Sequence, residues 1–247
     1  MSKIRNPYLF VVALMSLLLC SAAHASVVVS GTRVVFPSNE KEVTVRLTNE
    51  AKQPSLVQVW MDVGDQIASP DRIEVPFVIT PTIFRLEQGK SQTLRIIYSG
   101  EPLRADRESL FWLNVLDVPP KTRAGDDRNR LQFAFRTRIK LMYRPEGLEG
   151  KPEDAPGRLK WEMSTSAARQ PVLKATNPTP YVVNLGSVAL QAQGRTYDAG
   201  LGHVLPGESA TFPLKGLSAS GGIDGTVEFS SINDWGGSHV NRAALSR

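Results

Sequence analysis

From Leu131 to Arg144 the chain reads as one β-strand with nothing to break it. At about 3.3 Å per residue such a run reaches roughly 46 Å, against ~17–20 Å for a common strand, so one small domain cannot bury all of it. Its first half alternates, with Leu131, Phe133 and Phe135 on one face and Gln132, Ala134 and Arg136 on the other. An ordinary core strand with its large residues inward is one reading, and it fits the second half. The first half rises out of a polar segment, Pro119 to Arg130, that carries Lys121, Arg123, Asp126, Asp127, Arg128 and Arg130. A strand leaving such a loop is expected near an exposed sheet edge, and an exposed apolar edge invites a partner strand.

The rest of the chain is also built from short strands. Val27 to Val29, Arg33 to Phe36, Val43 to Leu47, Leu56 to Trp60, Ile73 to Ile79, Thr93 to Tyr98 and Leu110 to Val118 are β-branched or alternating runs. Pro37-Ser38-Asn39 and Asn49 to Pro54 punctuate them. No window in this region sustains the i, i+3, i+4, i+7 stripe of a helix. Strands at this spacing predict an immunoglobulin-like sandwich. Pro145 to Gly157 is then rich in Pro, Gly and Glu and reads as a linker. A second, smaller β domain follows, with runs at Leu159 to Met163, Val172 to Ala175, Tyr181 to Leu190, Ser209 to Leu214 and Thr226 to Ile232, separated by turns such as Gly221-Gly222 and Gly236-Gly237.

The N-terminus is expected to lie outside the fold. Lys3 and Arg5 precede an apolar run from Tyr8 to Cys20, and Ala23-His24-Ala25 has the small-x-small form of a signal-peptidase site. The run is too short to span a bilayer, which takes roughly 20 apolar residues. Leu19 before Cys20 disfavours a lipidation site, where a small residue is usual. The expected organisation is a signal peptide at 1–25, an N-terminal domain at 26–145, a linker at 146–157 and a C-terminal domain at 158–247. No later stretch is long and apolar enough to enter a membrane as a helix.

Several function classes fall away on chemistry. Cys20, the sole cysteine, leaves with the signal, which removes disulfides, thiol catalysis and cysteine metal sites. His203 and His239 remain, without ligand spacing, and are read as solvated; no metal and no cofactor are expected. Loss of Lys3 and Arg5 leaves a mildly basic mature chain with no dense Lys/Arg block, so nucleic acid is not an expected partner. Walker, Rossmann, zincin and Gly-x-Ser-x-Gly patterns are absent, and Asp126-Asp127 sits in a charged loop. An enzyme is not expected.

The chain resembles the PapD-like periplasmic pilus (fimbrial) chaperones. The resemblance rests on Gly31 to Phe36, Asp106 to Asn114, Arg138 to Pro145, Asn177 to Tyr181 and Ile232 to Gly237, five segments in the family's order. It implies an all-β fold of two immunoglobulin-like sandwiches in an L or boomerang shape with a cleft between them. It implies a periplasmic chaperone that binds, folds and caps pilus subunits by donor-strand complementation and delivers them to an outer-membrane usher. Arg33 and Lys140 match the cleft cations that grip a subunit's C-terminal carboxylate, and Leu131, Phe133 and Phe135 match the donor residues. Glu108, Arg144 and Asp234 match an interdomain network, and Thr80-Pro81 matches a cis-proline turn, although trans is the default from sequence. The segment Pro119 to Arg130 has neither the insertion nor the cysteines of the long-loop branch, so the short-loop type is expected. The empty apolar edge is also a candidate for self-association. The alternative, a pilus subunit or adhesin, is disfavoured because Ala243 to Arg247 lacks a terminal alternating apolar motif with a penultimate Tyr.

Overall fold

The computed structural model describes residues 27–121, 131–217 and 224–246. The signal segment with the expected cut after Ala25, most of the charged loop (Arg123, Asp126, Asp127, Arg128 and Arg130) and the Gly221-Gly222 turn lie outside the described residues. The described chain forms sixteen strands and two short 3-10 turns, at Pro70–Arg72 and Ala155–Arg158. Among the described residues no helix is long and apolar enough to cross a membrane.

The first domain packs two sheets face to face. One has the order β1 (Val27–Val29), β3 (Glu42–Asn49), β7 (Ser91–Tyr98), β5 (Phe77–Thr80). The other runs β2 (Arg33–Pro37), β9 (Phe135–Arg144), β8 (Ser109–Val118), β4 (Ser55–Asp62), β6 (Ile83–Leu86). Alternation explains the core: Val57, Val59 and Met61 from β4 and Leu113 and Val115 from β8 point inward and are buried. Phe36 sits at one end of this core with Phe77, Tyr98 and Tyr143, ring centroids 5.4 to 6.4 Å away. The Thr80-Pro81 peptide is cis.

The second domain sets β10 (Lys160–Thr165), β11 (Pro171–Thr176) and β14 (Ser209–Pro213) against β13 (Arg195–Val204), β12 (Val183–Ala192), β15 (Thr226–Ile232) and β16 (Ser238–Ala244). Its core centres on Trp161, fully buried, with Phe229 and Phe212 at 5.1 and 5.8 Å. The structure therefore holds two all-β sandwiches with separate apolar cores.

Two strand expectations need correction. The run Ile73 to Ile79 contributes only its end, in Phe77–Thr80, because residues 73–76 follow the 3-10 turn and contain Pro76. The long strand is paired from Phe135, not from Leu131; residues 131–134 are unpaired chain leading into it. Its last rung is Phe135 opposite Asp117, and β8 ends one residue later at Val118 before Pro119-Pro120, so among the described residues no neighbouring strand pairs with 131–134.

Candidate functional site

The site is built where β2 meets β9. This is a parallel pair, and its register sets Arg33 beside Lys140, Val34 beside Leu141, Val35 beside Met142 and Phe36 beside Tyr143. Partners in register share a face. Phe36, Leu141 and Tyr143 face the first core, so Arg33 and Lys140 face the other way, with Met142. Met142 is 1% exposed yet lies outside the first core; its sulfur sits 3.4 Å from the Asn184 Nδ2 of the second domain. The outer face of β9 is therefore the floor of a junction between domains.

Arg33 donates from Nη1 to the Ile232 carbonyl at 3.3 Å, while its Nε is buried without a hydrogen-bond partner. Lys140 donates from Nζ to Asn184 Oδ1 at 2.6 Å and lies 5.4 Å from the centre of the Trp112 ring. Among the described residues neither cation has a salt-bridge partner. Burial, and then repulsion from Arg33, pulls Lys140 down to about 8. Burial also lowers the Arg33 pKa, against the field of Asp234. Two partly desolvated cations side by side, one with an orphaned N–H, are costly when empty and well matched to an anion with several acceptor lone pairs.

A turn holds the second domain against this pair. Asn233 Oδ1 accepts from the Trp235 and Gly237 amides at 3.1 and 2.7 Å, closing the turn between β15 and β16. Gly236, at φ +85°, lies so near β2 that a Cβ there would meet Thr32 Oγ1 at 2.7 Å. The same turn presents Asp234, which takes a two-pronged ion pair from Arg144 at 2.7 and 3.0 Å. Arg144 Nε donates to Glu108 Oε1 at 2.5 Å, and Glu108 Oε2 accepts the Val182 amide at 2.7 Å. Burial raises the Glu108 pKa more than Arg144 and the Val182 amide lower it. Burial opposes the charge on Arg144, but Asp234 and Glu108 together raise its pKa. Glu108, Arg144 and Asp234 are thus joined in one chain of charge-assisted bonds across the domain junction.

The three apolar residues stand apart from both cores. Leu131 is 86% exposed, Phe133 61% and Phe135 58%, and the two phenyl rings lie 6.5 Å apart. Gln132, on the other face, is tethered by bonds from Nε2 to the Pro119 and Pro120 carbonyls at 3.3 and 2.6 Å.

The sequence reading missed the polar floor that supports β9. Asp62, 1% exposed, is ion-paired to Arg138 and accepts from Asn114 Nδ2 at 2.7 Å and from the Gly64 amide at 2.6 Å. Burial alone would raise the Asp62 pKa; these bonds more than offset it. Arg138 stacks on Trp112 at 4.0 Å and Arg136 on Trp60 at 4.9 Å. His203, expected to be solvated, is instead half-buried. It lies on β13 with its ring 6.0 Å from Trp112, and burial, then Lys140 and Arg138, push it down to about 4. Its charged form is disfavoured by the fold, so as pH falls from about 6.5 through 4 the unfolded chain takes up the proton first and stability is lost. A His203→Gln variant should lose less stability than the wild type over that window, as read by denaturant titration at each pH. Equal losses would contradict the half-buried, neutral imidazole. His239 is exposed, as expected.

Known proteins share this sequence and fold. Residues 26–149 match the family described as pili and flagellar-assembly chaperone, PapD N-terminal domain, and residues 154–243 match the pili assembly chaperone PapD, C-terminal domain. The chain belongs to the PapD-like pilus chaperone family. It is 44% identical over 228 residues to the probable fimbrial chaperone YadV of Escherichia coli K12, covering 91% of this chain and 92% of that one. It is 40% identical over 232 residues to the chaperone protein FimB/FhaD of Bordetella pertussis, covering 92% and 91%. The crystal structure of YadV chaperone superposes with a TM-score of 0.76 at 41% identity, covering 90% of this chain and 100% of that one. The Salmonella enterica SafB chaperone, solved in complex with SafA pilin, gives 0.73 at 32% identity over 89% and 96%. As a member of this family, the chain is a fimbrial chaperone with the two-domain fold.

Proposed function

We propose that this chaperone captures pilus subunits in the periplasm by lending them the segment from Leu131 into β9, while Arg33 and Lys140 bind the subunit's C-terminal carboxylate. The observation that carries this reading is the pairing of exposure with register. One face of a single segment offers three exposed apolar side chains, and its continuation sets Lys140 beside Arg33. Among the described residues, 131–134 have no ladder partner, so their backbone is available to an incoming strand. A subunit lacking a strand gains main-chain bonds from this segment and buries Leu131, Phe133 and Phe135, each worth about 1.5–3 kcal/mol if fully covered. The fixed carboxylate sets register, since a slip of one residue would turn every side chain to the wrong face.

The signal segment at 1–25 directs export, with cleavage after Ala25. The protein acts by holding rather than by catalysis, and passes its cargo to an outer-membrane usher. Glu108, Arg144 and Asp234 set the angle between domains, because buried ion pairs of this kind specify geometry more than they add stability.

Phe133→Glu tests the donor role. The side chain is exposed in the free protein, so the melting temperature should move little. Capture of a co-expressed subunit, read by co-purification, should fall at least tenfold. A large drop in melting temperature with capture intact would mark Phe133 as core and end the donor assignment.

A further inference from the structure

We propose that Asn184, on the second domain, is a positioning residue for the Lys140 ammonium, so that the carboxylate site is complete only when the two domains are docked. This rests on the anchor reading above and adds a residue to it. Asn184 is 5% exposed and stands at the start of β12, in an apolar stretch between Val183 and Leu185. Its side chain spends both ends on β9: Oδ1 accepts from Lys140 at 2.6 Å, and Nδ2 lies against the Met142 sulfur at 3.4 Å. That orientation aims the carbonyl oxygen, not the amide nitrogen, at the cation.

Among the described residues nothing else restrains the ammonium as well. Trp112 offers a ring face at 5.4 Å, which attracts a cation without fixing its direction. Of the charges nearby, Arg33 on β2 repels it. Asp62 on β4 is engaged by Arg138, and Asp234 in the β15–β16 turn by Arg144. His203 on β13 pairs in register with Asn184 and packs its ring toward Trp112, so this wall of the site is neutral. An ammonium has three donors, and one bond to Asn184 leaves capacity for an arriving carboxylate. Asn184 thus satisfies the partly desolvated cation in the free protein and holds it in place when a carboxylate arrives.

The test uses the whole mature protein and a synthetic peptide of alternating apolar residues, prepared with a free C-terminal carboxylate and with a C-terminal amide. The variants are Asn184→Leu, close in size without the acceptor, and Asn184→Asp, which keeps the shape and adds a competing charge. Wild type is expected to prefer the free acid. In both variants that preference should shrink about tenfold, with binding of the amide unchanged. Titration of Lys140, followed by NMR of its side-chain nitrogen, should shift in opposite directions, to lower pH in Asn184→Leu and to higher pH in Asn184→Asp. A residue that merely packed the domains together would not produce opposite shifts. A wild type without preference for the acid would overturn the anchor reading itself. A wild type with the preference, retained in full by both variants with Lys140 unmoved, would overturn the role of Asn184 alone.

Discussion

Lys140→Ala yields a folded, soluble chaperone that no longer retains its subunits. The side chain ends in the domain junction rather than in either core, and its removal relieves the repulsion with Arg33. Stability should therefore be preserved. Capture is a different matter. Removing one partner of a buried charge pair costs about 2–5 kcal/mol, which is roughly 30-fold to several-thousand-fold in affinity. Arg33→Ala should act in the same direction, with a small loss of domain docking because its bond to the Ile232 carbonyl is also lost. Subunit co-purification from the periplasm measures this, with the melting temperature as control. Normal pilus assembly by either variant would remove the anchor from the account.

The second large effect is on stability. Arg144→Met leaves Glu108, 3% exposed, without its cation and leaves Asp234 without its two-pronged partner. Breaking a buried pair from one side costs about 3–5 kcal/mol, and for a protein of this size each kcal/mol moves the transition by roughly 2–4 °C. The double variant Glu108→Gln with Arg144→Met should cost less than Arg144→Met alone, since the orphaned carboxylate is gone. Thermal melts of the three variants decide it. If Arg144→Met melts with the wild type, the junction is not held by this network.

The sheet scaffold was legible because most strands bury one face, and burial writes an alternating pattern. Three strands escaped. β6 is four residues long and follows a proline turn; β13 contains Asp198, Gly200 and Gly202; β16 is an edge strand, largely exposed, reading Ser-His-Val-Asn-Arg-Ala-Ala. None of these buries enough apolar surface to show a period. At the site, Arg33 and Lys140 were recognisable by resemblance, but only the parallel register shows that they are neighbours. Asn184 does carry a signal, since a polar residue inside the apolar Tyr181 to Leu190 run needs a partner. His203 carried none. It is half-buried, and its ring lies against Trp112, a residue of the other domain. The alternation extends four residues ahead of β9 because it continues past the point where the neighbouring strand ends.

Amide hydrogen exchange across residues 131–137, free and with a bound subunit, addresses the lent strand most directly. The amides of 131–134 should exchange quickly in the free chaperone and become strongly protected in the complex, while those of 139–143 stay protected in both. Fast exchange at 131–134 in a purified complex, or protection already present in the monomeric free protein, would contradict it.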